Sequence, residues 1–392
     1  MSLLSYDEAL SRVRGRLEPR LRVESVELLA ALKRVLAEPI HARLDHPPFD
    51  NSGVDGYALA EAPSVDRPIP VLGEIVAGGP TVWLAGGCSL RVLTGAALPP
   101  NTYAVVMQED VEPLIGRIKI NASVSADENV RRRGEDFSQG DLLLDVGQPL
   151  NSGAIALLAS QGVTAVSVFL APTIGVLTTG DELVSIDVEP SGSQLRDSNQ
   201  ELLAAGLLSL GVRTIVRWRV RDDPLLTAGA LSELASACDL VIVSGGASVG
   251  DHDYLRSSVE KLGRVEFHGI SVRPGKPTLF GFIGETPLLG LPGNPSSSFV
   301  CFHLFVGEMV RRMSGHSSPE PVWIPATFRG DISPSPRDHF ERVLVKVSDG
   351  VLYADRLPSE NSQGLKACAL CTGLARIPGG TESRSVNVLL ID

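Results

Sequence analysis

The stretch Asp239-Leu-Val-Ile-Val-Ser244-Gly-Gly-Ala-Ser-Val-Gly250-Asp-His-Asp253-Tyr254 decides the predicted fold of this chain. Its run Leu240–Val243 is short, apolar and β-branched, which is typical of a strand buried on both faces of a parallel sheet. The strand leads directly into a glycine-rich turn, and Tyr254 to Leu262 reads as a helix. A strand, a glycine-rich turn and a helix form an anion site, because loop N–H groups and the helix N-terminus point at one place.

A second stretch repeats this arrangement. The apolar run Pro287–Leu291 is followed by Pro292-Gly-Asn-Pro-Ser296 and then by a helical pattern. Two such turns at the C-terminal ends of neighbouring parallel strands would line one crevice, where open α/β sheets bind ligands. Neither turn is a Walker A motif or a dinucleotide fingerprint. The alternative is that the glycines only make tight turns. The predicted ligand-binding residues of the two turns are Ser244, Gly245, Gly246, Ser248, Gly250, Pro292, Gly293, Asn294, Pro295 and Ser296.

Composition limits the class of protein. A chain of 392 residues with 43% hydrophobic and 21% charged residues is typical of a soluble globular protein of two to four domains. The net charge of −11 argues against non-specific nucleic-acid binding. We find no run of eighteen apolar residues and no signal-peptide pattern, so we expect no membrane span and no export. The five scattered cysteines favour reduced thiols in the cytoplasm, and the lone Cys368-x-x-Cys371 gives little support for a zinc site.

Hydrophobic patterning predicts a mixed α/β and β architecture. Residues 5–38 read as helical, with a capping box from Ser5 to Glu8, although Val23–Leu36 fits either a second helix or a short strand followed by a helix. Short β runs from Ile69 to Leu144 predict an all-β domain. Alternating strands and helices from Pro172 to Met313 predict a doubly wound, mostly parallel sheet. The predicted domains are residues 1–44 with 141–170 (helical and linker), 45–140 (β), 171–318 (α/β) and 319–392 (a β barrel or sandwich).

Carboxylates follow several of the predicted strands. Glu182, Asp222 and Asp253 each come after a strand end, where they would repel an anion unless a cation lies between them. Mg²⁺ is the usual cation, held by one or two carboxylates and by ligand oxygens. Arg273 and Lys276 would neutralise phosphate charge directly. The alternative for each aspartate is a helix N-cap or turn former, which fits Asp222 well because Asp223-Pro follows it.

The predicted β domain carries a basic segment, Asn129-Val-Arg131-Arg132-Arg133-Gly-Glu-Asp136. Consecutive arginines beside a glycine fit a recognition loop for anionic oxygens. The alternative is a solvated basic turn paired with Glu135 and Asp136. No Ser-His-Asp or Cys-His arrangement is evident, and His252 is the only histidine near the glycine-rich turns. A hydrolase with a covalent nucleophile is therefore disfavoured.

Taken together and in order, these segments resemble the molybdopterin molybdenumtransferase family. The resemblance runs through nearly the whole chain, and it implies an N-terminal helical region, a β domain, a molybdopterin-binding α/β domain and a C-terminal β domain. The family inserts molybdate into adenylylated molybdopterin with release of AMP, and it includes the C-terminal domain of gephyrin. The segments that carry the resemblance are Pro48–Ala58, Thr94-Gly, Arg131–Asp136, Thr179-Gly-Asp-Glu182-Leu, Ser244–Gly250, Pro274-Gly-Lys276-Pro and Leu291–Ser296.

The resemblance implies a cytoplasmic, Mg²⁺-dependent transferase that forms an elongated homodimer. Its cleft would lie between the α/β domain of one subunit and the β domain of the other. A molybdopterin adenylyltransferase is an expected partner, and no nucleic acid or membrane is expected. Glu182, Asp222 and Asp253 would position Mg²⁺ or the dithiolene end, whereas Arg131 and Lys276 would meet oxyanions. The positions that match the family's functional residues are Asp55, Thr94, Arg131, Asp136, Glu182, Asp222, Asp253, Lys276, Pro292 and Pro295.

Three positions depart from the family pattern. Gly269 stands where the family typically has a lysine, Arg273 replaces the first lysine of Lys-Pro-Gly-Lys-Pro, and Leu365–Ala369 replaces a serine-containing turn. These departures keep a second reading open, a gephyrin-like scaffold that has lost turnover. A third reading is another nucleotide-binding transferase on the same fold. The sequence does not distinguish molybdenum from tungsten as the working metal.

Overall fold

The computed structural model describes residues 3–64, 67–246, 254–332, 335–357 and 364–391. Among these residues, no helix is both long enough and apolar enough to cross a membrane. The chain divides into two compact units, each with an apolar core of its own. The large unit comprises Met1–Ala37, Val146–Ile155 and Ala165–Asp392, and the β unit comprises Glu38–Asp145 and Ala156–Thr164.

The N-terminal segment of the large unit contains one helix and one strand. Helix α1, Tyr6–Arg16, begins with the predicted capping box, in which the Ser5 hydroxyl accepts from the Glu8 N–H and the Glu8 carboxylate accepts from the Ser5 N–H. Strand β1, Val23–Glu27, follows, and then a 3₁₀ turn at Leu28–Ala31. Of the two alternatives for Val23–Leu36, the structure therefore favours the short strand followed by helical structure, although the helical part is only a 3₁₀ turn. Alternating exposure along β1 is the pattern of a strand with one covered face.

The β unit is built from short strands, as predicted. One sheet of six strands has the order β7-β4-β6-β5-β9-β8, and two smaller pairs are β10 with β3 and β11 with β2. Ala58, Val92 and Val105 lie in its core and are fully buried. The strands are β2 Ile40–His41, β3 Asn51–Ser52, β4 Gly56–Leu59, β5 Ile69–Ile75, β6 Ser89–Val92, β7 Ala104–Met107, β8 Val111–Leu114, β9 Arg117–Ile120, β10 Val130–Arg131 and β11 Leu142–Leu144.

The chain then forms helix α2, Ser152–Ser160, and strand β12, Ala165–Phe169. The side chain of Asn151 accepts from the Ala154 N–H at 2.8 Å, which satisfies one of the free N–H groups of the first turn. Strand β12 pairs antiparallel with β1 over its whole length. The N-terminal strand thus completes its hydrogen bonding with a segment far along the sequence.

The predicted doubly wound sheet is confirmed. Its order is β16-β13-β17-β21-β20-β18; the first four strands are parallel, whereas β20 and β18 are antiparallel to their neighbours. The strands of this region are β13 Ile174–Thr179, β14 Leu183–Val184, β15 Leu195–Arg196, β16 Ile215–Val220, β17 Leu240–Ser244, β18 Gly263–His268, β19 Val272–Arg273, β20 Leu279–Ile283 and β21 Thr286–Leu291. Its helices are α3 Ser198–Ser209, α4 Pro224–Ala237, α5 Tyr254–Leu262, α6 Pro295–Cys301 and α7 Gly307–Met313, with a π-helical turn at Phe302–Val306 between the last two.

Apolar clusters cover both faces of this sheet. On one face Leu203 of α3 and Val300 of α6 pack against strand residues, and on the other Leu231 of α4 and Leu255 of α5 do so. Every residue of β17 is buried, which explains its continuous apolar sequence. The paired positions Thr178, Ser244 and Leu291 bring the carboxyl ends of β13, β17 and β21 to one edge.

The C-terminal region is a closed barrel rather than a sandwich. The strands are β22 Trp323–Arg329, β23 Asp338–Ser348, β24 Val351–Arg356, β25 Gly373–Ile377 and β26 Ser385–Leu390, and helix α8 spans Leu365–Leu370. The order β23-β24-β22-β26-β25 closes because β23 also pairs with β25. Strand β19 of the preceding region adds to this sheet beside β23. The fold class expected from the sequence is thus confirmed.

Candidate functional site

The glycine-rich turn after β17 approaches the end of β13 closely. Gly245 and Gly246 have φ values of +102° and +64°, which favour glycine. A Cβ on Gly245 would lie 2.5 Å from the carbonyl oxygen of Thr179. The N–H of Gly245 also donates to the Leu291 carbonyl at 3.4 Å, so the turn is tied to strands on both sides of β17.

The second predicted turn, Pro292–Ser296, lies against the first. A Cβ on Gly293 would be 3.4 Å from the Cα of Gly245. Asn294 is the N-cap of α6, and its side-chain oxygen accepts from the N–H groups of Ser296 at 3.1 Å and Ser297 at 3.3 Å. Pro295 occupies the first turn, where no N–H is needed. The structure therefore brings the two turns together, but it uses two of the amides internally.

Uncharged polar side chains link the two turns. The Asn199 amide nitrogen donates to the Ser244 hydroxyl at 2.9 Å and to the Gly293 carbonyl at 2.7 Å. The Ser298 hydroxyl donates to the Pro292 carbonyl at 2.7 Å and lies 3.0 Å from the Ser244 hydroxyl. Neither Asn199 nor Ser298 was predicted as a site residue from the sequence. The only signal for Asn199 was its place two residues after Asp197, the N-cap of α3.

Two buried polar atoms in this network have no hydrogen-bond partner in the described part of the chain. They are the hydroxyl of Thr179 and the amide oxygen of Asn199, in residues that are 6% and 8% exposed. A buried polar group without a partner costs about 1–3 kcal/mol. Both atoms belong to residues that contact the glycine-rich turns, so they are available to a ligand or to bound water there.

A buried arginine reaches the second turn from the barrel. Arg342 of β23 is 5% exposed, and its guanidinium donates to the Ser296 hydroxyl. Its Nε is buried without a partner among the described residues. Arg342 was not predicted from the sequence, because no local motif shows that β23 returns to this turn.

Positive charge collects around the start of β23. His339 pairs in register with Arg273 of β19. Burial, followed by the guanidinium groups of Arg273, Arg356 and Arg342, lowers the pKa of His339 to about 4. His339 is therefore neutral near pH 7 and adds no charge. Arg273 and Lys276 are exposed, and within the described ranges neither forms an ion pair.

The predicted acidic residues lie at the ends of paired strands. Thr179 of β13 pairs with Val220 of β16, so the loops carrying Glu182 and Asp222 begin side by side. Both carboxylates are exposed. Asp223, not Asp222, is the N-cap of α4, with acceptor distances of 2.8 and 2.9 Å. The alternative considered for Asp222, a helix N-cap or turn former, thus applies to Asp223.

Asp253, the third predicted Mg²⁺ ligand, lies outside the described residues, as do Asp251 and the predicted turn residues Ser248 and Gly250. Among the residues that are described, no three His, Cys, Asp or Glu side chains converge as a metal centre. Of the three carboxylates predicted to bind Mg²⁺, the structure therefore describes two, Glu182 and Asp222.

The β unit holds a second group of predicted site residues. The Asp55 carboxylate accepts from the backbone N–H and the hydroxyl of Thr94, both at 2.7 Å. The hydrogen bond from the Thr94 backbone N–H, followed in size of effect by the one from the Thr94 hydroxyl, holds the pKa of Asp55 below its ordinary value. The Thr94 turn is placed by the Gly95 N–H, which donates to the Ser52 carbonyl at 2.8 Å. Asp55 thus remains a carboxylate at neutral pH.

The three consecutive arginines differ in their partners. Arg132 pairs with Asp50 and Asp127, and Arg133 pairs with Asp45. Arg131 has no carboxylate partner in the described part of the unit. The alternative of a basic turn paired with Glu135 and Asp136 is wrong in its partners, because Glu135 accepts from the Arg132 backbone N–H and closes the turn.

A pocket of about 640 Å³ in the β unit gathers several of these residues. Arg131 and Asp136 line it together with Phe49, Asn51 and Gly95. It combines a guanidinium that has no carboxylate partner among the described residues with the rings of His46 and Phe49 and the carboxylates of Glu135 and Asp136. Such a surface can bind an oxyanion attached to a flat ring.

At Gly269, where the family typically has a lysine, the backbone conformation favours glycine. Gly269 has a φ of +93°, and a Cβ there would lie 2.8 Å from a methyl carbon of Leu3. A lysine at this position would therefore be strained in the conformation that this chain adopts.

Comparisons with known proteins agree with this architecture. The family model described as "MoeA N-terminal region (domain I and II)" matches residues 4–162, and the model described as "Probable molybdopterin binding domain" matches residues 175–312. A molybdopterin biosynthesis moeA protein from Pyrococcus horikoshii OT3 has a similar solved structure, with a TM-score of 0.81 and 28% identity over all of both chains.

Sequence relatives extend the similarity over nearly the full length. A molybdopterin molybdenumtransferase of Nostoc is 33% identical over 379 residues, which covers 93% of this chain and 87% of that protein. The Bacillus subtilis protein of the same name is 32% identical over 405 residues, covering 99% and 94%. The chain therefore belongs to the molybdopterin molybdenumtransferase family.

Proposed function

We propose that the protein is a molybdopterin molybdenumtransferase, which inserts molybdate into adenylylated molybdopterin and releases AMP in molybdenum cofactor biosynthesis. The observation that carries this proposal is the pair of turns after β17 and β21. They touch each other, they are linked by Asn199, and Arg342 contacts the second of them. A polar cradle with one buried cation suits a ligand whose recognised part is a phosphate.

The residues of the cradle have separate tasks in this proposal. The turns orient the phosphate-bearing pterin, and the buried acceptors and donors of Thr179 and Asn199 complete its hydrogen bonds. Arg273 and Lys276 offset the charge of the phosphoanhydride between pterin phosphate and AMP. The reaction requires positioning and charge neutralisation, so no protein nucleophile is needed.

Mg²⁺ dependence forms part of the proposal. Glu182 and Asp222 follow register-paired strands and are exposed carboxylates. With Asp253 they would supply the oxygen ligands that Mg²⁺ prefers. The cation would neutralise charge on the phosphoanhydride. Chelation followed by readdition of Mg²⁺ should remove and restore molybdenum incorporation, whereas full activity in chelator would reject this dependence.

The β unit contributes a second set of groups. Arg131 is the arginine of its basic segment without a described carboxylate partner, and Asp136 lines the same pocket. We assign oxyanion recognition to Arg131, and we assign the placement of the Thr94 turn to Asp55. We also infer a cytoplasmic homodimer that receives its substrate from a molybdopterin adenylyltransferase.

An assay of molybdenum incorporation from adenylylated molybdopterin tests the function. Wild type should release AMP and form molybdenum cofactor, and Glu182→Ala and Asp253→Ala should each reduce the rate at least tenfold, with folding unchanged. Glu233→Ala, which removes an exposed carboxylate on α4, is the control and should behave as wild type. Unchanged rates in both site variants would reject these roles.

Gly269 favours a second candidate, a gephyrin-like scaffold that binds the ligand without turnover. Its positive φ excludes an easy return of the family's lysine. Wild type that binds adenylylated molybdopterin but incorporates no molybdenum would support the scaffold and reject the enzyme.

A further inference from the structure

A second cavity of the large unit shares no residue with the glycine-rich turns. It measures about 520 Å³ and is lined by the α6–α7 segment, by the end of β26 and by the loop before β22. We call it the Arg311 pocket, after the side chain that supplies its half-buried charge. Its size lies within the range of small-molecule sites, which are mostly apolar with a few placed polar groups.

Among the described residues Arg311 forms no ion pair with a carboxylate, although Glu308 and Glu320 lie near it. Its adjacent residue Arg312 pairs with Glu308 at 2.8 Å and with Glu320 at 2.5 Å. Glu308 also pairs with Arg14 at 2.6 Å. The hydrogen bond recorded for the Arg311 side chain runs from Nε to the Pro319 carbonyl, at 2.6 Å. Burial lowers the pKa of Arg311, yet an arginine stays charged at any ordinary pH.

The backbone makes room for this guanidinium. Gly307 lies one turn before Arg311, and a Cβ there would be 3.3 Å from Nη1. The residues just before Gly307 form the π-helical turn Phe302–Val306. Single π-helical turns occur frequently at functional sites, because they change the direction of a side chain within a helix.

The other polar groups of the pocket favour an anion. The exposed Lys33 contributes a second cation to the lining. His303 is neutral, since burial lowers its pKa to about 4. His316 donates from Nδ1 to the Arg311 carbonyl at 3.0 Å, and burial lowers its pKa, so it adds no positive charge to the pocket. Glu320, the carboxylate of the lining, is already paired with Arg312.

We propose that the Arg311 pocket binds a small aromatic phosphate. Its phosphate would meet Arg311 and Lys33, and its ring would lie against the apolar wall made by Phe302, Leu389 and Ile391. The carboxylates near this half-buried guanidinium, Glu308 and Glu320, are already paired with other arginines, so a bidentate oxyanion would supply the direct partner that Arg311 does not have among the described residues. Inorganic phosphate shares the charged part of this chemistry and lacks the ring.

Calorimetric titration of the full-length protein with phenyl phosphate and with inorganic phosphate tests the proposal. We expect saturable binding of phenyl phosphate, with weaker binding of inorganic phosphate. Arg311→Gln should weaken phenyl phosphate binding about tenfold or more, because it removes charge-assisted hydrogen bonds. Lys33→Gln should weaken it less, and Arg311→Lys should recover part of the loss. The control is Arg217→Gln. Arg217 is an exposed residue of β16 that pairs with Glu201, so this variant should bind phenyl phosphate as wild type does.

Three outcomes would overturn the proposal. One is the absence of saturable binding to wild type. Another is equal binding by wild type, Arg311→Gln and Lys33→Gln, which would place the phosphate elsewhere, including at the glycine-rich turns. The third is a loss of oligomer mass in Arg311→Gln without any binding of phenyl phosphate, which would assign Arg311 to a carboxylate of a second copy. Lys33 is exposed, so its variant remains informative even if Arg311→Gln fails to fold.

Discussion

The two groups of candidate site residues are built in opposite ways. In the large unit, the turns after β17 and β21 are fixed by buried, uncharged side chains such as Asn199, Ser244 and Ser298. In the β unit, Asp55 and Arg131 are exposed and charged. The first group is part of the core, whereas the second is carried on a surface.

Because of this difference, the effect of site geometry can be measured separately from the effect of site charge. Buried hydrogen bonds set the shape of the first site, so a change there should cost stability and binding together. Exposed charged groups contribute little to stability, so a change there should affect ligand binding more than stability. Variants of the two groups should therefore differ in whether stability, ligand binding or both are lost.

Gly245→Ala should have the largest effect. The new Cβ would lie 2.5 Å from the Thr179 carbonyl at a φ of +102°. Such strain costs about 1–3 kcal/mol before the clash is added, so urea unfolding should show a loss of about 3 kcal/mol or more. Molybdenum incorporation should also be lost. Gly229→Ala is the control, because nothing lies within 4 Å of its Cβ position in α4. Comparable stability of the two variants would contradict the tight approach at Gly245.

Asn199→Ala should have the next largest effect. It removes hydrogen bonds to the Ser244 hydroxyl and the Gly293 carbonyl. Leaving these groups unsatisfied should lower the free energy of unfolding by about 1–3 kcal/mol. Affinity for adenylylated molybdopterin should fall as well, because the two turns are no longer joined. Asn387→Ala, an exposed amide on β26, should change neither quantity. A variant that lost stability but kept full affinity would reduce Asn199 to a purely structural role.

Arg131→Gln and Arg132→Gln should separate binding from stability. Arg131 has no described carboxylate partner, so its loss should reduce kcat/KM about tenfold and leave Tm unchanged. Arg132 joins Asp50 and Asp127, so its loss should lower Tm by a few degrees with less effect on kcat/KM. Kinetics and thermal melts of both variants decide the point. Equal effects of the two variants on kcat/KM would contradict a special role for Arg131.

The smallest effect should be the change with pH in the contribution of Asp55 to the free energy of unfolding. Its pKa is lowered in the folded state by the Thr94 hydrogen bonds, so this carboxylate stabilises the fold above its ordinary pKa of 3.8. The contribution is lost as the pH falls through the lower folded value. The stability difference between wild type and Asp55→Asn should therefore shrink below about pH 3.8. A difference that grew toward acid in urea titrations would have the wrong sign.

Local patterns were enough to predict most of the fold. The helix Tyr254–Leu262 was predicted with the bounds that the structure has, because the segment follows a glycine-rich turn and has apolar residues at helical spacing. The strand at Val23–Glu27 was ambiguous, because its partner β12 lies more than a hundred residues later. Closure of the barrel likewise depends on the long-range pairing of β23 with β25.

The candidate site was less accessible to sequence reasoning. The two turns were found because glycine and proline mark them, but the residues that hold them were not. Asn199 and Arg342 come from a helix and a barrel strand, and only the folded chain brings them to Ser244 and Ser296. The amides of Ser296 and Ser297 also serve the Asn294 cap, which a motif cannot reveal.

A crystal structure of the protein with adenylylated molybdopterin would test the central claim most directly. The account predicts the phosphate groups within hydrogen-bond distance of the turns at Ser244–Gly246 and Pro292–Ser296, with the hydroxyl of Thr179 or the amide of Asn199 engaged. A ligand bound away from both turns, with those buried groups unchanged, would contradict it.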